Sequence, residues 1–320
     1  MLKRFLRASA AAATLALLAT GCGSGSPAAE NQNGKDAVTV GVIPIVDVAP
    51  IYLGKEQGFF AERGIDLTLE SSQGGAAIVP GVMSGQFQFG FSNVTSLLLA
   101  KSQGLPLKVV NAGNSTTGDP SEDFGGVVAP KGSGITDAAD LEGKSVAVNT
   151  LNNIGDTTIR EVVRQAGGDP STIKFVELPF PDMPAAVQEG RVDAAWVVEP
   201  FLTIATDQGA RTVAANFAET HRELMVAAYF TSQQVIDGNP DLVKRFTDAM
   251  NESLTYAQEH PDEARDVLGS YTDIDKQTAA KLTLPSWSTE IKTEPVQRLA
   301  DLAVSDGLID KAPDVTGLLP

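Results

Sequence analysis

From residue 38 onward, short apolar runs alternate with segments whose apolar positions recur every three or four residues, the pattern of a parallel sheet covered by helices. VTVGVI (38–43) reads as a first strand, and a helix is predicted over 49–60, stopped by Arg63-Gly64. Ile65, Leu67 and Leu69 then alternate as a second strand. A helix over 76–84, the strand FQFGFS (87–92), a helix over 95–103 and the strand LKVVNA (107–112) complete one α/β half.

A polar stretch over 113–123 leads into a second half. GGVVAP enters it, SVAVN (145–149) is a strand, and the helix over 156–166 places Ile159, Val162, Val163 and Ala166 on one stripe. IKFVEL (173–178), a helix around 185–189, DAAWVV (193–198), a helix over 201–208 and RTVAA (211–215) complete it. Both halves contain a small-residue helix that ends in Gly and leads into a short strand: AAIVPGVMSGQFQFGF in one, PAAVQEGRVDAAWV in the other. This echo suggests two lobes of similar design. Beyond Met225, VAAYF is a further apolar run, and helices are predicted over 240–268 and 293–305 around a Trp287-containing connection that either lobe could hold.

Length agrees with two lobes: 320 residues exceed one typical domain, and 42% hydrophobic with 20% charged residues is an ordinary globular composition. The first residues change the picture. Lys3, Arg4 and Arg7 form a basic region, and 8–20 is an uncharged core too short to span a bilayer, as in an exported protein's signal segment. Ala19-Thr20-Gly21-Cys22 resembles the lipobox of bacterial lipoproteins, although Ala19 stands where that motif usually has Leu. The resemblance implies cleavage before Cys22, lipidation of its sulfur and anchoring to the outer face of the cell membrane. GSGSPAAENQNGKDA, which follows, reads as a flexible tether over 22–37. Cys22 is the only cysteine, so an intrachain disulfide is excluded. Loss of 1–21 would remove three positive charges and take the net charge from −16 to −19, a surface that repels nucleic acid.

Catalytic motifs are missing. His221 and His260 are the only histidines, each reads as a solvated surface residue, and none is spaced as a metal ligand. No nucleophile elbow, Walker loop or strand-helix glycine fingerprint occurs, so neither cofactor nor metal is expected. In open α/β sheets, ligands bind where loops leave the carboxyl ends of strands. Here those loops are PIVDVAP (44–50), SSQGG (71–75), SNVTS (92–96), GNSTTGD (113–119), NTLNNIGD (149–156), PFPDMP (179–184) and VEPF (198–201), and none contains Lys or Arg. Helix N-terminal amides and Ser, Thr and Asn side chains would preorganise such a site. Asp47 could be a helix cap, with Pro50 in the first turn, or a ligand contact. Asp182 reads as a turn residue, Glu199 as the acid that faces the cleft or, alternatively, as a charge partner at a helix N-terminus. Phe180 and Trp196 would line the cleft or, for Trp196, pack in the core.

VTVGVIPIVDVAPIYLGKEQGFFAERGIDL, the SGQFQFGFS segment, ITDAADLEGKSVAVN and VQEGRVDAAWVVEPF, in that order, resemble bacterial solute-binding proteins for nitrate, alkanesulfonates, taurine and thiamine-pyrimidine precursors. The resemblance implies a type II periplasmic-binding-protein fold, α/β throughout, with two lobes (38–124 plus 226–320, and 125–225) joined by crossover segments and a ligand cleft between them. It also implies a small-molecule ligand, ABC permease and ATPase partners, and hinge closure rather than catalysis by what is expected to be a monomer. Carried over by position, and joined to the loops above, the expected ligand set is Ile45, Asp47, Gln73, Gly74, Ser92, Asn93, Thr95, Asn114, Asn149, Thr150, Asn153, Ile154, Phe180 and Glu199. Acids without a cation favour a solute with a donor or cationic end, such as a zwitterion or an aminopyrimidine, unless Arg160 or Lys131 reaches the cleft. Related pyrimidine-synthesising enzymes depend on His and Cys clusters, which this chain lacks; an exported enzyme acting on a pyrimidine-like substrate, or a sensory lipoprotein, are the alternatives.

Overall fold

The computed structural model describes residues 34–311 and 313–320; the stretch read as a signal segment (1–21) and Cys22 lie outside them. Among the described residues, ten strands form two five-stranded sheets. The first contains β1 (Asp36–Val42), β2 (Ile65–Ser71), β3 (Phe89–Asn93), β4 (Leu107–Ser115) and β10 (Met225–Ser232), in the order β2-β1-β3-β10-β4. The second contains β5 (Gly125–Pro130), β6 (Ser145–Val148), β7 (Lys174–Glu177), β8 (Ala194–Val198) and β9 (Ala210–Ala214), in the order β7-β6-β8-β5-β9. The two orders match position for position.

Neither sheet is wholly parallel, which corrects the pattern expected from the alternating elements. β1 runs parallel to β2 and β3, and β6 parallel to β7 and β8. β10 is antiparallel to β3 and β4, and β5 to β8 and β9. These two reversed strands are the ones that receive the chain as it crosses between sheets, after β4 and again after β9. Asp36 and Ala37, read as the end of the tether, are instead the first residues of β1, paired with Ile65 and Asp66.

Helices cover both sheets. Ala49–Gln57 starts with Pro50 in its first turn, where the missing N–H costs nothing, and stops at Gly58, whose φ of +88° favours glycine. That turn splits the helix expected over 49–60. The helix expected over 240–268 is likewise broken: Pro240–Glu259 ends at His260, and Pro261 opens a separate short helix because it has no N–H to continue the ladder. Pro240–Glu259 packs on the first sheet, with Phe246 stacked 3.8 Å from Phe89. Thr293–Ser305, with Val296, Leu299, Ala300 and Ala303 buried on one face, touches both Val94–Ser102 and Ile154–Gln165. No helix among the described residues is long and apolar enough to cross a membrane.

Candidate functional site

Between the sheets, the carboxyl ends of β1, β3, β6 and β8 converge. β1 passes through Ile43–Ile45 into a single 3-10 turn, Val46–Val48, which carries Asp47 inward. Asp47 is 2% exposed. One oxygen, Oδ1, accepts from Asn114 Nδ2 at 2.9 Å; the other, Oδ2, is buried without a partner. Neither the turn nor the following helix receives a side-chain cap, so the capping role considered for Asp47 is not realised. Burial pushes its carboxyl up to about 7, against the lowering effect of the Asn114 bond.

The asparagines at the strand ends are mostly committed to local structure. Asn93 caps Val94–Ser102: its Oδ1 accepts from Ser96 N at 2.9 Å and its Nδ2 donates to Ser96 Oγ at 3.0 Å. Asn153 caps Ile154–Gln165 through Gly155 N at 2.8 Å, and its Nδ2 donates to Asn149 Oδ1 at 2.7 Å and Thr150 Oγ1 at 2.9 Å. Asn149 and Gln73 exchange two hydrogen bonds across the gap, Nε2 to O at 3.0 Å and Nδ2 to O at 3.2 Å. Val46 N donates to Glu199 O at 3.0 Å, a further tie between the halves. Around Gly74 there is no room: a Cβ would lie 2.8 Å from Thr150 Cγ2 and 2.9 Å from Asn149 Nδ2. A Cβ on Gly75 would fall 1.9 Å from Ser92 Oγ, which donates to Asn93 O.

These contacts enclose a cavity of about 20 Å³, room for one small polar group. Asp47, Asn93 and Asn149 line it with Ile45, Ile154 and a set of rings, Phe91, Phe180, Trp196 and Phe217. Trp196 packs 5.4 Å from Phe180 and edge-on to Phe217 at 5.7 Å. Its indole Nε1 and the Thr95 hydroxyl are buried without partners. Ile43, Ile45 and Phe180 also border an outer pocket of about 280 Å³, whose further walls include Pro44, Pro179, Pro181 and Phe201, with Gln73 at its edge. Neither space is lined by Lys or Arg. Arg160 donates to Pro170 O at 3.0 Å and lies over Phe175, while Lys131 is exposed.

Glu199 stands apart from this cavity. Its Oε2 accepts from Thr203 N at 3.0 Å, and its Oε1 from Thr203 Oγ1 at 2.8 Å and Thr283 N at 3.3 Å. Its carboxyl, pushed up to about 7 by burial, thus holds a helix start and the C-terminal connection, along a separate groove of about 670 Å³. Of the two acids expected at the cleft, only Asp47 lines the cavity. Asp182 is exposed at the end of a 3-10 turn. Neither histidine is freely solvated as expected: His221 is half-buried against Glu294 at 2.8 Å, and His260 stacks on Tyr256 at 3.9 Å.

Several lining residues were not among those expected: Ile43, Phe91, Phe217, Val226 and Ala227. Their apolar character marks them as core in the sequence. Phe91 alone carried a signal, since it is two residues from Asn93 on one strand and therefore on the same face.

The chain is similar to known proteins over most of its length. The NMT1/THI5 like family model matches residues 45–264. A Bacillus subtilis (strain 168) protein named provisionally for binding aliphatic sulfonates is 25% identical over 311 residues, 93% of this chain and 90% of its own. The 4-amino-5-hydroxymethyl-2-methylpyrimidine phosphate synthase of Candida albicans (strain WO-1) is 23% identical over 262 residues, 78% of this chain and 71% of that enzyme. Among solved structures, the ligand binding component of an ABC-type import system from Staphylococcus aureus superposes with a TM-score of 0.76 at 16% identity, covering 89% of this chain and 96% of that one. That likeness shows the periplasmic-binding-protein fold.

Proposed function

The chain belongs to the NMT1/THI5 like family, and on that premise we propose that it is the extracytoplasmic solute-binding lipoprotein of an ABC importer, not an enzyme. In this reading Cys22 carries the lipid, 22–35 tethers the folded part to the membrane surface, and closure of the two lobes presents the loaded form to the permease. The observation that carries the ligand-binding part is the state of Asp47: a carboxylate oxygen, buried between the lobes and without a partner, on the wall of a cavity that neither Lys nor Arg lines. Leaving such a group unsatisfied costs about 1–3 kcal/mol, and a charge-assisted bond from a ligand recovers it.

The solute that fits best has a compact donor or protonated nitrogen for Asp47 and a flat apolar body for the proline and aromatic walls of the outer pocket, as in an aminopyrimidine. A small zwitterion such as taurine would meet the first requirement and leave the second unused. Neither histidine lines the cavity, and Asp47 has no second titratable side chain lining that cavity to exchange protons with, which supports capture over turnover. Incubation with aminopyrimidines, taurine, alkanesulfonates and nitrate, followed by titration calorimetry and product analysis, tests the reading. Saturable one-to-one binding with the compound recovered unchanged is expected; conversion of the compound would replace importer with enzyme.

A further inference from the structure

Outside the cavity, four charged side chains join the halves of the molecule. Helix Ile154–Gln165 begins at the cavity with Ile154 and belongs to the second sheet's half; its far end carries Glu161 and Arg164. Helix Thr293–Ser305 lies against Val94–Ser102, which begins next to Asn93 on the first sheet's half, and against Val315–Leu318, which packs on β4. Between them, Arg298 Nη2 donates to Glu161 Oε1 at 2.5 Å, and Arg164 Nη2 donates to Asp306 Oδ1 at 2.5 Å. Arg164 Nη1 also reaches Glu161 Oε2 at 2.5 Å, and Gln165 Nε2 donates to Glu161 Oε1 at 2.8 Å.

The acids of this network are almost completely covered, 6% exposed for the Glu161 side chain and 4% for Asp306, whereas the arginines are 39–40% exposed. A covered carboxylate that loses its arginine is left a buried charge, which favours the two helices parting, while the arginines, 39–40% exposed, remain open to competing counterions, so the latch responds to salt. Both crossing pairs bridge the same two bodies, and those bodies lead, at their other ends, to opposite walls of the cavity.

We propose that Glu161, Arg164, Arg298 and Asp306 form an ionic latch that holds the two lobes closed from outside the cleft, and so sets how much of the ligand-free protein is already in the closed form. Any solute that binds between the lobes then gains affinity in proportion to that closed fraction. The latch does not depend on which solute the site accepts.

Small-angle scattering of the ligand-free protein tests this without a ligand. Wild type is expected to expand, with a larger radius of gyration, between low salt and about 1 M NaCl, where the screening length falls to about 3 Å. Arg298→Gln and Glu161→Gln should show the larger radius already at low salt and respond little to further salt, and Arg298→Lys, which keeps the charge opposite Glu161, should stay nearer the compact form. A radius of gyration unchanged by salt, or variants that melt earlier with the wild-type radius, would overturn the latch and leave a brace within one rigid body. The salt series on wild type stands even if a variant fails to fold.

Discussion

Asn114 Nδ2 lies 2.9 Å from Asp47 Oδ1, so the end of β4 holds the one acid that lines the cavity. Asn114→Ala removes the donor and leaves a buried carboxylate with no partner on either oxygen. The expected cost is about 1–3 kcal/mol in denaturant unfolding at pH 8. At pH 5 the cost should be smaller, because Asp47, pushed up to about 7, is then protonated and no longer a buried charge.

The pH dependence of the ligand-free protein follows from the direction of that shift. Between its ordinary value of 3.8 and about 7, Asp47 keeps a proton in the folded state that the unfolded chain has released. Its contribution is therefore complete below the ordinary value and is lost as pH rises through about 7. Glu199, at about 7, and Asp156, at about 6, act in the same sense. The clean readout is the difference between wild type and Asp47→Asn: the variant should gain in melting temperature relative to wild type from pH 5 to pH 8. A constant difference across that range would refute the buried-acid assignment.

The two glycines at the start of Gly75–Met83 should separate closure from folding. Gly74 has an extended backbone with φ of −175°, which any residue adopts, so Gly74→Ala meets only the space filled by Thr150 and Asn149 of the opposite half. The expected outcome is near-normal melting with solute affinity weakened about tenfold or more, since about 1.4 kcal/mol of lost closure suffices. Gly75→Ala instead drives a Cβ into buried Ser92 within one lobe and should lower the melting temperature itself.

For Glu199 the account predicts a structural role. Glu199→Ala strips acceptors from Thr203 N, Thr203 Oγ1 and Thr283 N and should cost about 1–3 kcal/mol of stability, while Glu199→Gln, which keeps one acceptor, should cost less. Solute affinity, measured by calorimetry on the folded variants, should change less than in Asp47→Asn.

Much of the fold was legible because burial imposes its period directly. The strands over 65–69 and 193–198 and the helix over 293–305 lie close to where alternation and the helical stripe place them. Helix ends were less legible: the stops at Gly58 and at His260-Pro261 are local backbone events inside longer apolar patterns. At the site, polar loop residues were readable as a rim, yet which of two acids turns inward was not. Asp47 and Glu199 both precede helices with a proline at their start, but Glu199 finds Thr203 four residues on, with Thr283 adding a third bond, while Asp47 has only Asn114 on one oxygen and nothing on the other. Ile43, Phe217 and Ala227 carry no mark that distinguishes a cavity wall from ordinary core.

In the proposed function Asp47 receives a donor or cationic group from the solute. A thermal-shift screen of wild type and Asp47→Asn at pH 8, against aminopyrimidines, taurine, alkanesulfonates and nitrate, tests it most directly, because a ligand that binds only the folded state must raise its melting temperature. The account predicts a rise with an amino-bearing compound that is lost in Asp47→Asn. A rise only with nitrate or a simple sulfonate, kept or strengthened when the acid is neutralised, would contradict it.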